Sequence, residues 1–186
     1  MTNGKAGGID LIFSEDGVFD VGISGLQDDF AKAAALVCVR EGMDPQAFEI
    51  SITFETEEGI RALNARYREK DAVTDVLSFP MYESAAEIRK VRSATEPGEN
   101  RQVLSLGDVV ICPAAARRQA AEYGHSERRE FVYLFVHSML HLFGYDHVDS
   151  PIQSANDNGM KGRAEMRAAE EDVMQKIGID RNGKKG

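Results

Sequence analysis

Apolar positions along the chain alternate between a two-residue period and a three-to-four-residue period, and each change of period marks a change of element. "IDLIFS" (9–14) is an apolar run that reads as a strand, and "LQDDFAKAAALVCVREG" (26–42) is an Ala-rich helix closed by Gly42. "AFEISITFET" (47–56) alternates strictly and is β-branched, which predicts a strand with one buried face. "EEGIRALNARYREK" (57–70) has acids in its first turn and bases in its last, the order the helix dipole favours. Two further strands, "TDVLSFP" (74–80) and "LSLGDVVICP" (104–113), flank a polar connection at 81–103 that holds a short helix around "AAEIRKV". Connections of this length are flaps beside sites or lack fixed structure. "PAAARRQAAEYG" (113–124) opens on Pro and ends on Gly, and Ser126 is placed to cap "ERREFVYLFVHSMLHLFG" (127–144). A polar loop at 149–160 leads to a final helix, "KGRAEMRAAEEDVMQKIG" (161–178).

No repeat or composition break divides this pattern. It predicts one α/β (α+β) domain over 1–186: a small mixed four-stranded sheet packed by about five helices, with loose tails at 1–8 and 180–186. The formal charge of −9 argues against a protein that coats nucleic acid non-specifically, although a local basic groove is compatible with it. The opening "MTNGKAGG" has no secretory character, and only two cysteines are present, Cys38 and Cys112, each inside an apolar run. Both observations point to the cytoplasm and to buried thiols rather than a disulfide. The most apolar stretch, "FVYLFVHSMLHLF", is too short to span a bilayer and reads as a buried helix, so no membrane role is expected.

That helix carries the chemistry. Three of the four histidines fall in "HSMLHLFGYDH" (137–147). His137 and His141 are four apart and share one helix face. Gly144 stands where a left-handed residue lets the chain reverse and return His147 to the same point. Three neutral imidazoles with an open fourth position describe a catalytic zinc site at the end of a central buried helix. Nickel, copper and iron also suit imidazole ligands. A closed structural zinc would need a fourth ligand, such as Asp146, Asp149 or a residue of the last helix. The spacing is that of zinc peptidases, H-E-x-x-H-x-x-G-x-x-H, but Ser138 replaces the Glu that serves them as general base. A peptidase would have to find its base elsewhere, for example Glu165 or Glu170. Phosphodiester cleavage instead asks for a cation near the metal. His125, isolated before the helix, reads as a surface or capping residue.

"LNARYREKDAVTDVLSFP" (63–80), "LGDVVI" (106–111) and "HSMLHLFGYDH" (137–147), in this order, resemble the YbeY endoribonucleases, also called ribosomal RNA maturation factors. "MRAAEEDVM" (166–174) is similar to that family's last helix. The resemblance implies a metal-dependent endoribonuclease that prefers single strands, processes ribosomal RNA, notably at the 3′ end of the small-subunit RNA, and takes part in ribosome quality control. It implies metal ligands at His137, His141 and His147, and a functional arginine at Arg68. The family usually has a glycine after the first ligand, where this chain has Ser138.

The residues themselves leave some roles open. Arg68 ends a helix, where a cation is also simply suited to the dipole, and Arg61, Arg66 and Lys70 extend the same positive patch. Asp75, Ser78, Asp108 and Asp146 are candidates for the second shell of the metal or for RNA contact, as well as for turns at strand ends. Arg117, Arg118, Arg128 and Arg129 either continue an RNA track or are solvated. The expected partners are single-stranded or ribosomal RNA and the ribosome or small-subunit proteins. A ribosome-assembly binding protein with a structural zinc is the alternative from a different class. The nucleophile, metal-bound water or the RNA 2′-hydroxyl, is left open by the residues, as is the oligomeric state.

Overall fold

The computed structural model describes residues 3–6, 8–14, 21–94, 103–146 and 162–179. Its core is a sheet of order β1-β2-β3-β5-β4, formed by β1 (Asn3–Ala6), β2 (Ile9–Phe13), β3 (Phe48–Phe54), β4 (Val76–Pro80) and β5 (Leu104–Ile111). Strands β2, β3 and β5 are parallel, and β1 and β4 are antiparallel edges. The four strands expected from the pattern are all present. Residues 3–6, expected as part of a loose tail, instead add a short fifth strand against β2, because the turn at Gly8 brings their backbone donors and acceptors into register. The other predicted tail, 180–186, and the whole loop at 149–160 lie outside the described residues.

Among the described residues six α-helices surround the sheet: α1 (Leu26–Arg40), α2 (Glu57–Arg68), α3 (Ala85–Ala94), α4 (Pro113–Tyr123), α5 (Glu127–Leu142) and α6 (Arg163–Ile177). The sixth is α3, the short helix foreseen in the 81–103 connection. Helices α1, α5 and α6 share the main core with β2, β3 and β5. Phe30 of α1 and Phe135 of α5, both with no exposed surface, stack at 4.4 Å. On the other face, Ile60 of α2 and Ala115 of α4 close a smaller cluster over Leu77, Val110 and Cys112. Cys38 and Cys112 are buried free thiols, and burial pushes Cys38 up to about 12 with help from Asp44. Among the described residues no helix is long and apolar enough to cross a membrane.

One irregularity sets the sheet's facing. Between Glu49↔Ser105 and Ser51↔Asp108, Leu106 and Gly107 oppose the single residue Ile50 of β3, a β-bulge. Gly107 has φ +135°, and a Cβ there would collide with the carbonyl oxygen of Phe79 on β4. Strict alternation would put Asp108 on the same face as Leu106; the bulge reverses it, so that Val109 and Ile111 enter the main core and Asp108 is exposed. Gly107→Ala should lower unfolding free energy by roughly 2 kcal/mol or more, read as a reduced urea midpoint at unchanged slope.

A second stability feature lies under α5. Glu130 is 1% exposed, with one carboxylate oxygen 3.0 Å from His125 Nε2 and the other without a hydrogen-bond partner among the described residues. His125 is therefore the partner of a buried acid rather than the surface or capping residue expected. Burial pushes the Glu130 carboxyl up to about 7, Asp75 adds to the rise and Arg129 opposes it. The folded state thus favours the protonated form, so stability is full below the ordinary carboxyl value and falls as pH rises through about 7. Glu130→Gln should raise stability at pH 8 by roughly 2–3 kcal/mol, and leave it nearly unchanged at pH 4.5, in parallel denaturant titrations.

Candidate active site

Ser126 caps α5, its hydroxyl accepting from the Arg129 N–H at 3.2 Å, as the sequence predicts. From Phe131 to Leu142 the helix is buried at every position except Tyr133, His137 and His141. These three are spaced i, i+4, i+8, so they form one stripe along the helix. The stripe opens into a cleft of about 630 Å³ walled by the end of α2, by β4 and by the turn after α5.

The two imidazoles are fixed from behind. His137 Nδ1 lies 2.7 Å from Glu170 Oε1 on α6, and the other Glu170 oxygen accepts from the Tyr133 hydroxyl at 3.2 Å. His141 Nδ1 lies 2.7 Å from the carbonyl oxygen of Tyr145. A carbonyl and a carboxylate accept, so both Nδ1 atoms carry the proton and both Nε2 atoms face forward as lone pairs. Those Nε2 atoms are 3.2 Å apart, the rings nearly perpendicular at 83°. Two facing lone pairs repel unless a cation lies between them. Two nitrogens bound at about 2.0–2.1 Å to one tetrahedral zinc would be about 3.3 Å apart, so the pair fits such an ion.

The reversal after α5 is built as the spacing suggests. Gly144 adopts φ +84°, and a Cβ there would press to 2.6 Å from the Glu83 carbonyl oxygen. Ala85 N–H donates to the Phe143 carbonyl at 3.0 Å, which ties the start of the 81–103 connection to this turn. Tyr145 then turns its side chain inward, 2% exposed, and its hydroxyl donates to Glu41 Oε1 at 2.6 Å. The carbonyl that holds His141 is thereby anchored to the end of α1. His147, the third expected ligand, lies outside the described residues. Among those residues no group of three metal-binding side chains meets at one point.

Arg68, at the end of α2, is exposed at the cleft, and its guanidinium donates to the Ser78 carbonyl at 3.2 Å. The turn beyond it is unusual, since Glu69 holds a left-handed conformation (φ +58°) without being glycine. Lys70 lines the same lip. Arg61 is committed elsewhere, bidentate to Asp71 at 2.6 and 2.9 Å. Asp75, Ser78 and Asp146 line the cleft, but Asp75 uses its carboxylate to accept from Val76 N–H and the Thr74 hydroxyl, and Ser78 contributes its backbone. Asp108 is not among the residues lining the cleft, since the bulge turns it to the opposite face.

Arg117 pairs with Glu127, Arg118 with Glu57 and Arg128 with Asp29, while Arg129 donates to the Ile179 carbonyl. They join helices instead of forming a track. Ser138 is 1% exposed and its hydroxyl has no partner among the described residues, so it cannot replace the peptidase base. The two alternative bases are also engaged, Glu165 at the Gly162 N–H and Glu170 at His137. Glu170 as the support of His137 is the role sequence reasoning missed. Its signal was present: Glu170 sits on the stripe Met166, Ala169, Val173, Met174, a carboxylate on the buried face of an amphipathic helix.

The family model of "Endoribonuclease YbeY" matches residues 14–178. The chain belongs to the YbeY family. The Endoribonuclease YbeY of Finegoldia magna is 39% identical over 166 residues, covering 84% of this chain and 93% of the relative. That of Chloroflexus aurantiacus is 37% identical over 171 residues, covering 92% and 99%. The solution structure of TM1509 from Thermotoga maritima shares the fold, with a TM-score of 0.53 at 20% identity over 90% of this chain and 88% of that one. The three YbeY motifs have distinct places in the fold. The first and third line the cleft, whereas "LGDVVI" is β5, whose bulge and pairing hold β4 in position. Tyr145→Phe should cost roughly 1–3 kcal/mol in urea unfolding, because the buried Glu41 carboxylate loses its Tyr145 donor.

Proposed function

We propose that this chain is a metal-dependent endoribonuclease that cleaves single-stranded RNA in the cleft between α2 and α5. Membership of the YbeY endoribonucleases supports the reaction. The observation that carries the site is the pair of Nε2 lone pairs converging 3.2 Å apart on an open cleft. His137, His141 and His147 would hold the ion, and zinc suits three neutral imidazoles with an open fourth position, as nickel, copper and iron also suit imidazole. Bound there, the ion supplies Lewis acidity to a phosphodiester.

The protein's own groups do the rest. Glu170 and the Tyr145 carbonyl hold both imidazoles in one tautomer and one orientation. Arg68 spends one of its five N–H donors on the Ser78 carbonyl, which aims the fork. Its remaining donors neutralise charge developing on the phosphate oxygens, and Lys70 adds positive charge on the same lip. Asp75, Glu83 and Asp146 also line the cleft, so an anionic backbone is favoured only along the Arg68 lip. On the strength of the family resemblance we take the substrate to be ribosomal RNA, near the 3′ end of the small-subunit RNA. We take the partners to be the ribosome or small-subunit proteins, and the compartment to be the cytoplasm.

Cleavage of an end-labelled single-stranded RNA by metal-loaded protein tests this reading. Arg68→Ala should cut turnover about 10²–10³-fold at unchanged metal content. His141→Ala should lose metal and cleavage together. Equal cleavage by both variants and the parent would mean a contaminating nuclease and end the proposal. A 2′,3′-cyclic phosphate on the product identifies the RNA 2′-hydroxyl as nucleophile.

A further inference from the structure

The last turn of α2 carries a group that neither the core nor the cleft chemistry uses. Tyr67 is 54% exposed, although one side of its ring meets Phe79 of β4 at 5.2 Å and 72°. The cluster beneath, Ile60, Leu77, Val110 and Phe79, is closed without it. The Arg66 guanidinium lies over the Tyr67 ring, 5.2 Å from its centroid. In a chain of net charge −9, Arg66, Arg68 and Lys70 lie within three residues of this exposed ring along the sequence, and all three are exposed.

The sheet geometry links this ring to the cleft. Strand β4 is an edge: Val76, Leu77, Ser78 and Pro80 line the cleft, while Leu77 and Phe79 also pack into the cluster under α2. Arg68 joins the two sides through the Ser78 carbonyl. A strand whose phosphate sits at Arg68 therefore has Tyr67 one residue away on the outer side of β4.

We propose that Tyr67, with Phe79 against one side and Arg66 over part of its ring, is a stacking platform whose exposed remainder takes an unpaired nucleobase next to the phosphate held by Arg68. The inference rests on the reading of the cleft as an RNA-cleaving site and adds how the substrate is selected. Every base offers a π-face to an aromatic ring, and neighbouring cations follow the phosphates, which is the usual device for holding single strands without sequence preference. A base inside a duplex is stacked on its neighbours and has no free face for Tyr67. The platform thus selects unpaired RNA.

The test is steady-state cleavage of a mixed-sequence single-stranded oligoribonucleotide by the metal-loaded parent, Tyr67→Phe and Tyr67→Leu, at low and moderate salt. Tyr67→Phe should match the parent. Tyr67→Leu, which keeps an apolar contact for Phe79 and should melt at the parent's temperature, should lose about tenfold or more in kcat/KM, mainly through KM. The loss should be equal at both salt concentrations, since stacking, unlike phosphate contact, releases no counterions. Tyr67→Leu within twofold of an active parent overturns the platform alone, as does a loss that changes with salt. A parent that does not cleave overturns the reading of the cleft and the platform with it.

Discussion

Helix α5 is enclosed by α1, α4, α6 and the sheet, and from Phe131 to Leu142 only Tyr133, His137 and His141 reach the surface. The apolar side chains around it contribute on the order of 1.5–3 kcal/mol each when fully buried, so the helix is held against rotation or sliding. A turn of α5 about its axis would bury imidazoles and expose phenylalanine. The enclosure that stabilises the domain is therefore what aims the two histidines at a single point.

The same enclosure supplies the groups behind the imidazoles. Helix α6 packs along α5 and brings Glu170 to His137, and the end of α1 brings Glu41 to Tyr145, whose carbonyl holds His141. These two buried carboxylates, Glu170 and Glu41, accept from donors that belong to the site or to its support. Removing either donor would leave an acid in a low-dielectric interior, so folding and site geometry are maintained by the same contacts. Ser138 fits this picture as a small residue beneath the stripe, with the chemistry lying on the cleft side and across it at Arg68.

The scaffold for that opposite wall is the bulged strand β5. Gly107 lets β4 approach closely, and β4 in turn offers the Ser78 carbonyl to Arg68. The "LGD" stretch thus acts through backbone geometry, while its aspartate faces away from the cleft.

Much of this was legible in the residues. The four strands, the six helices and the reversal at Gly144 follow from periodicity, capping and the need for a left-handed residue, all properties of short stretches of chain. The spacing of His137 and His141, and the missing peptidase base at Ser138, are equally local. The fifth strand, the role of His125, the outward face of Asp108 and the support of His137 by Glu170 were decided by the tertiary structure. Each depends on which distant backbone or side chain is brought alongside: β2 beside 3–6, Glu130 beside His125, Ile50 opposite a two-residue bulge, and α6 against α5. Local pattern determines which face of an element is apolar. Packing between elements determines which polar group waits on the other side.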